Sequence, residues 1–322
     1  MTDAGLRILN AEPDSYCKEA EAILRSLGSV DFKSLNREQL LNCIADYDVL
    51  IVRLGFQINR EVFLKAKKLK TIVTATTGLD HIDLAAAKEF GVTVLSLRGE
   101  VDFLRSIPAT AELTWGLLLN ITRNLPQAYF SVLNGRWDRE AFRGFDLAGK
   151  KLGILGLGRI GEKIARYGLA FDMQVRMFDI DKTKTAPGVK SMDTMQDLFA
   201  WADIISIHVP LNETTQNLVG MNELSQMENG YLINTARGDV LNEQDLILAL
   251  EKGHLRGAAV DVIQDERGLE NNPSPLINYA KSHSNLIITP HIGGASFDSM
   301  ASTEIFMANK LKNHLDFKKG EG

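Results

Sequence analysis

Cysteine is nearly absent from this 322-residue chain. Cys17 and Cys43 are the only two, and their spacing is not that of metal ligands. A disulfide framework and a zinc-ribbon site are thereby excluded, no metal is expected, and two free thiols in a reducing cytoplasm are the expectation. Long apolar runs are missing too: none approaches the roughly 20 residues that cross a bilayer. The first ten residues lack a basic segment followed by an apolar stretch, so neither a signal peptide nor a membrane partner is expected. No charge sign dominates. There are 36 Lys and Arg against 41 Asp and Glu, a formal charge of −5. The short basic cluster from Lys65 to Lys70 reads as a solvated helix face, so nucleic acid is not an expected partner. Repeats and low-complexity tracts are absent as well. What remains is an ordinary globular composition, 45% apolar and 24% charged, long enough for two domains with their own cores.

From the first residues onward, short apolar runs alternate with amphipathic segments. Leu6 to Leu9, Val49 to Val52, Thr71 to Ala75 and Val92 to Leu95 read as strands. Between them lie helices over 15–27, 37–45, 60–68 and 84–90. Asn36 and Asn59 stand as N-caps, and Gly28 and Gly91 as helix stops. Such alternation predicts a parallel sheet covered on both faces. A long apolar helix follows from Ala109 to Arg123, then an irregular charged stretch, 134–143. A second alternating unit covers about 150–290. Its strands are expected at 151–155, 174–178, 204–209, 231–234, 258–262 and 286–289, and its helix 243–252 is capped by Asn242. A last helix is expected over 297–315. The predicted architecture is two doubly wound α/β domains with a cleft between them.

The most informative stretch is Lys151-Leu-Gly-Ile-Leu-Gly156-Leu-Gly158-Arg-Ile-Gly161. It reads as strand, tight turn and helix start. Gly156 allows the turn, Gly158 lets backbone approach a pyrophosphate, and Gly161 lets the helix lie close to the sheet. Asp179, at the end of the next strand, is placed to accept both hydroxyls of an adenosine ribose and to repel a 2′-phosphate. The expected cofactor is therefore NAD, with Asp181 as a nearby rival for the ribose. His208 ends a strand in His208-Val209-Pro210-Leu211 and is expected to shape the cofactor site. The other histidines, His81, His254, His283 and His314, read as surface or helix-end residues.

Three further residues sit at or just past strand ends, where open α/β sheets bind ligands. Arg237 follows Leu232-Ile-Asn-Thr-Ala236, Glu266 follows Ala259-Val-Asp-Val262, and His291 follows Ile287-Ile-Thr-Pro290. A guanidinium holds a carboxylate by two parallel bonds, an imidazole moves a proton near neutral pH, and a carboxylate beside it favours its charged form. Hydride transfer to a 2-keto acid needs those three functions. Each residue also has a plainer reading: Arg237 as a partner of Asp239, Glu266 as part of a solvated loop, His291 as a structural residue.

In combination the motifs closely resemble the D-isomer-specific 2-hydroxyacid dehydrogenase family. The matching pieces are Thr77-Gly-Leu-Asp-His-Ile-Asp-Leu84, Ala111-Glu-Leu-Thr114, the glycine turn, His208-Val-Pro-Leu211, Leu232-Ile-Asn-Thr-Ala-Arg-Gly238, Gly257-Ala-Ala-Val-Asp-Val262 and Ile288-Thr-Pro-His-Ile-Gly-Gly294. The resemblance implies that Arg237, Glu266 and His291 are catalytic. It implies that Arg159, Ile160, Thr235, Ala236 and Asp261 line the NAD site, with Thr77, Val209, Pro210 and Gly293 as further contacts and Asp261 on the nicotinamide carboxamide. It places substrate contacts at Arg53, Thr76, Gly78 and Arg237. It assigns 1–100 and 290–322 to a flavodoxin-like substrate domain and 101–289 to a Rossmann domain, and it implies a homodimer built partly on the helix from Ala109.

Several features depart from the family pattern. Arg267 replaces a proline after the acid, which makes Asp265 a rival of Glu266. Leu54 follows Arg53 where a small hydroxyl residue is common, and Ala75-Thr-Thr-Gly78 lacks one common glycine. The segment Leu97 to Arg105 is longer and more charged than usual. A phosphorylated, phosphoglycerate-like substrate needs a second anion site, for which Arg53, Arg98 and Arg105 qualify by charge. The chain ends before any regulatory domain of the kind attached to some phosphoglycerate dehydrogenases, so feedback of that kind is not expected. The implied reaction interconverts a D-2-hydroxy acid and its 2-keto acid. A non-enzymatic NAD-sensing protein of the corepressor type, and a formate- or phosphonate-type dehydrogenase, are the alternatives.

Overall fold

The computed structural model describes residues 5–269 and 273–320; the segment ahead of the first strand, Met1–Ala4, lies outside them. Contacts divide the chain into two units, Met1–Ile107 with Ala295–Gly322, and Pro108–Gly294. The first crossing comes after the charged segment 97–105 because Leu97, Leu104 and Ile107 pack into a core of the first unit.

The first unit has five parallel strands: β1 (Arg7–Asn10), β2 (Ser29–Phe32), β3 (Val49–Val52), β4 (Thr71–Thr74) and β5 (Thr93–Leu95). Their order is β2-β1-β3-β4-β5, the flavodoxin-like arrangement. Alternate residues feed two cores. Leu9, Leu50, Val52 and Ile72 face one, while Ile8, Val49, Ile51 and Val73 face the other. Strands buried on both faces read as continuous apolar runs, which is why β3 and β4 were visible in the sequence. Strand β2, Ser-Val-Asp-Phe at the sheet edge, was not. The final helix, Phe297–Gly320, runs on to the last described residue, beyond the expected end, and buries Met307, Ala308 and Leu311 in the second of these cores.

Two expectations need correction here. Asn36 does form a capping box with Gln39, but Asn59 does not cap the helix Arg60–Lys65; its Oδ1 instead accepts from Arg37 Nη2 at 2.9 Å. His81 is fully buried rather than at the surface. Its carbonyl accepts from the Ile58 N–H at 2.8 Å, and the ring lies 3.4 Å from Thr74 Oγ1.

The second unit has seven parallel strands: β6 (Lys151–Leu155), β7 (Gln174–Phe178), β8 (Lys190–Ser191), β9 (Ile204–Ile207), β10 (Gly230–Asn234), β11 (Leu255–Val260) and β12 (Leu286–Ile288). The order β12-β11-β10-β9-β6-β7-β8 is the Rossmann pattern extended by one strand. Helices Ala109–Thr122 and Arg159–Ala170 cover one face through Ala111, Trp115, Leu118, Ile164 and Ala165. Because every strand runs the same way, the loops after all of them emerge on one edge. The strand order reverses around β6, whose neighbours are β7 and β9. A further helix, Leu125–Leu133, has no buried residue. It exposes Tyr129, Phe130 and Leu133, and Trp137, in the segment after it, is 89% exposed.

Candidate active site

The glycine turn follows β6 at the point of strand-order reversal. Gly156 has φ +95°. A Cβ there would stand 3.0 Å from the His208 carbonyl carbon, and one on Gly161 would stand 2.2 Å from the Gly156 carbonyl oxygen. Both glycines are therefore packing requirements of the turn. Gly158 has nothing within 4 Å of an added Cβ and faces open space, as a backbone approached by a ligand must. Beside it Arg159 opens the helix. Burial pulls its pKa down, and among the described residues no acid pairs with it. A half-buried guanidinium without an anion, at a helix N-terminus rich in exposed N–H groups, fits a pyrophosphate.

Asp179 closes the turn from β7. Its Oδ2 accepts from the Leu157 N–H at 2.8 Å and its Oδ1 from the Asp181 N–H at 2.9 Å. Each oxygen keeps a lone pair for a ribose hydroxyl. The rival Asp181 directs its carboxylate at Thr183 instead, 2.6 Å from Oγ1. His208 leaves the end of β9. Its Nε2 lies 2.7 Å from Ser206 Oγ, and burial pushes its pKa down to about 3, so the ring is neutral.

The loops after β10, β11 and β12 carry the remaining candidates. Glu266 Oε2 lies 2.6 Å from His291 Nδ1, and Glu266 Oε1 accepts from the Ile263 N–H at 3.3 Å. Sharp backbone turns build this pair. Asp265 and His291 both adopt left-handed conformations, with φ +48° and +52°, a strain of about 1 kcal/mol or more each. The turn at Asp265 swings Glu266, not Asp265, onto the imidazole. His291 is held by Asp261, which is 1% exposed. The Asp261 carboxylate accepts from Thr289 Oγ1 at 2.6 Å, Ile292 N at 2.9 Å and Gly293 N at 2.7 Å, and its carbonyl accepts from His291 N at 2.8 Å. Burial raises the Asp261 pKa against these bonds. With Nδ1 engaged by Glu266, Nε2 is the nitrogen left to exchange a proton.

Arg237 is brought to this loop by the glycine after it. A Cβ on Gly238 would lie 2.1 Å from the carbonyl carbon and oxygen of Ile263, so the two loops touch backbone to backbone. Asn234, fully buried at the end of β10, fixes the turn. Its Oδ1 accepts from Ala236 N at 3.0 Å, and its Nδ2 donates to the Arg237 carbonyl at 3.0 Å. Thr235 Oγ1 lies 2.7 Å from Thr114 Oγ1, which itself bonds the Thr110 carbonyl. Glu243, 5% exposed, anchors the acid-bearing loop by accepting from Gln264 N at 2.7 Å. Sequence reasoning named none of Asn234, Thr114 and Glu243 as site residues. A buried amide closing an apolar strand was the one available signal.

The expected substrate contacts lie in the first unit, in loops after β3 and β4. Thr76 Oγ1 donates to the Gly78 carbonyl at 2.8 Å. Arg53 is already engaged: Nη1 donates to the Asp14 carbonyl at 2.9 Å, and Nη2 pairs with Glu304, which is 3% exposed. Glu12 takes both loop N–H groups, of Arg53 at 2.6 Å and of Gly55 at 2.9 Å.

A dinucleotide turn, an imidazole–carboxylate pair and an arginine on one edge of a Rossmann sheet define a nicotinamide-dependent dehydrogenase scaffold. The family described as D-isomer specific 2-hydroxyacid dehydrogenase, NAD binding domain, matches residues 115–293, and the chain belongs to that family. It is 38% identical over 307 residues to a D-3-phosphoglycerate dehydrogenase of Methanocaldococcus jannaschii, covering 94% of this chain and 56% of the relative. It is 33% identical over 305 residues to a hydroxypyruvate reductase of Thermotoga maritima, covering 94% and 96%. It thus spans just over half of the first relative and nearly all of the second. A D-lactate dehydrogenase from Aquifex aeolicus, solved with NAD and lactic acid, superposes with a TM-score of 0.83 at 26% identity, covering 96% and 95%.

Proposed function

We propose that this protein is an NAD-dependent oxidoreductase that interconverts a D-2-hydroxy acid and its 2-keto acid. The observation that carries the reading is the 2.6 Å contact between Glu266 and His291 at the strand ends of an NAD-binding domain. The similar proteins named as dehydrogenases and a reductase favour the enzyme over the corepressor-type alternative. Relatives named for phosphoglycerate, hydroxypyruvate and lactate support the substrate class.

Bound NAD supplies the hydride acceptor or donor. Arg159 and the N–H groups at Gly158 would hold its pyrophosphate, with Asp179 on the ribose. Arg237 binds the substrate carboxylate. In oxidation the C2–H bond breaks as hydride leaves, and His291 Nε2 takes the proton of the C2 hydroxyl. In reduction the protonated ring returns it to the carbonyl oxygen. Glu266 orients the ring and stabilises its cation. Asp261 holds the His291 backbone, and its Oδ2, with one N–H bonded, retains a lone pair for the nicotinamide carboxamide.

We also place the protein in the cytoplasm as a homodimer. Two free thiols and the exposed apolar face of the helix Leu125–Leu133 support this. Among the described residues no helix is long and apolar enough to cross a membrane. The test is loss of NADH absorbance with a panel of 2-keto acids. General acid–base help is worth about 10² to 10⁴ in rate, so His291→Ala should lose about that much kcat while still binding NADH. No oxidation of NADH with any acid, or full turnover by His291→Ala, defeats the proposal.

A further inference from the structure

We propose that Gln264, aided by the space at Gly268, is a positioning residue that decides which of two neighbouring carboxylates supports His291. The inference rests on the dehydrogenase reading above and deepens it, and every residue it uses lies in the second unit. Asp265 and Glu266 are adjacent acids in the loop after β11, yet it is Glu266 that meets the imidazole, with Oε2 2.6 Å from Nδ1. The left-handed backbone at Asp265, φ +48°, makes the difference. A residue held in that region stays there only where its surroundings over-determine it. Gln264, the residue before it, is bonded at three points. Its N–H donates to Glu243 Oε1 at 2.7 Å, and its Nε2 donates to the Leu241 carbonyl at 3.1 Å and to Asn217 Oδ1 at 3.2 Å. These acceptors are themselves fixed. Glu243 is 5% exposed in the first turn of the helix Glu243–Glu251. Leu241 N donates to the Gly238 carbonyl at 3.0 Å, and Asn217 N donates to the Asp239 carbonyl at 2.7 Å.

The other acid has its own place. A Cβ on Gly268 would stand 2.5 Å from Asp265 Cγ and 2.7 Å from its Oδ1, so the Asp265 carboxylate fills the space that a side chain at 268 would take. The Gly268 N–H closes the turn by donating to the Asp265 carbonyl at 2.9 Å. Glu266 Oε1 meanwhile accepts from the Ile263 N–H at 3.3 Å, which ties the acid to the residue on the far side of Gln264. Released from its side-chain bonds, Gln264 no longer opposes relaxation of Asp265 to negative φ. That rotation turns the following peptide and withdraws Glu266 from the ring, and misplacement by about 1 Å costs about a hundredfold in rate. The carboxylate freed by the same rotation is that of Asp265, which then competes for the imidazole and recovers part of the loss.

The test compares kcat and the KM for NADH, with whichever of hydroxypyruvate, pyruvate and glyoxylate the wild type reduces fastest. Gln264→Met keeps the length of the side chain without its donors, and Gln264→Lys keeps a donor. Gln264→Met should lower kcat about tenfold with KM for NADH within about twofold, and Gln264→Lys should recover most of the loss. In the Gln264→Met chain, Glu266→Gln should cost no more than about threefold and Asp265→Asn at least about threefold, whereas Asp265→Asn in the wild type should cost less than about twofold. Gly268→Ala reaches the same point with Gln264 intact, because its Cβ meets the movable tip of Asp265. It should lower kcat about threefold or more, and adding Asp265→Gly, which keeps the left-handed turn, should restore it. This second pair decides the matter if Gln264→Met does not fold. The full Glu266→Gln loss in the Gln264→Met chain, or a Gly268→Ala loss that Asp265→Gly does not restore, overturns the inference. The proton on Nδ1, deshielded by its charge-assisted bond to Glu266, gives a downfield proton NMR signal that needs no turnover. It should vanish in Gln264→Met and persist in Gln264→Lys. That pattern in a protein that reduces no acid keeps the positioning role and defeats the dehydrogenase reading. A signal unchanged in Gln264→Met defeats the positioning role and leaves the dehydrogenase reading standing.

Discussion

Replacing Gly238 by alanine tests whether Arg237 and Glu266 are held as one unit. The added Cβ would stand 2.1 Å from the Ile263 carbonyl carbon and oxygen and 2.6 Å from the Gln264 nitrogen. Ordinary contact begins near 3.4 Å, so the loops must part by roughly 1.3 Å, the difference between the two distances. All three atoms are backbone, and no rotamer change relieves the clash. Overpacking costs about 1–3 kcal/mol, and this case belongs at the upper end. For a unit of this size that lowers Tm by about 6–12 °C. A displacement of about 1 Å in a catalytic constellation costs about a hundredfold in rate, so kcat/KM should fall by that order even where Gly238→Ala is fully folded. Gly116→Ala is the control. That glycine lies inside the helix Ala109–Thr122 with nothing within 4 Å of an added Cβ, and alanine there should stabilise by about 0.5–1 kcal/mol. Thermal melts and steady-state kinetics of both variants give the answer. If Gly238→Ala keeps its Tm within 2 °C and its kcat/KM within about twofold, the two loops are not coupled as argued.

Glu266→Gln keeps an acceptor for Nδ1 but no charge, so kcat should fall about ten- to hundredfold with NADH affinity, measured by fluorescence titration, preserved. Asp179→Ala should cut the NAD-to-NADP ratio of kcat/KM at least about tenfold; an unchanged ratio would move the ribose contact elsewhere. His208 gives a pH dependence. Its folded pKa is depressed to about 3, so only the unfolded chain takes up this proton below about 6.5. The site costs nothing above that pH, and stability is lost as pH falls from about 6.5 toward 3. Between pH 7 and 5 the loss is about 2 kcal/mol, because any folded pKa well under 5 gives nearly the same figure. Urea unfolding at the two pH values should show that loss in the wild type and its absence in His208→Gln; equal losses in both would mean the ring is charged when folded.

The parts of this protein that were legible in its sequence share a physical cause. Strands β3, β4, β6 and β9 are buried on both faces and read as apolar runs, whereas the edge strands β2 and β8 carry exposed residues that leave no such pattern. Gly156 and Gly161 announce a turn because no side chain fits there. The Glu266–His291 contact joins residues 25 apart and was nominated by position at strand ends, yet the choice of Glu266 over Asp265 needed the left-handed turn at Asp265. Asn234 and Glu243 went unnamed because polar residues near strands are common, and only a closed turn shows what their oxygens accept. The three arginines make the point most sharply. Arg53, Arg98 and Arg105 are equivalent by composition, since charge carries no information about which carboxylate folding will deliver to each. Glu304 reaches Arg53 across 251 residues of sequence, through a helix that returns to the first unit only at the end of the chain. Neutralisation at that distance is a property of the topology. For that reason the difference between these arginines, two paired with carboxylates and Arg98 bonded to a backbone carbonyl, emerges only from the folded chain.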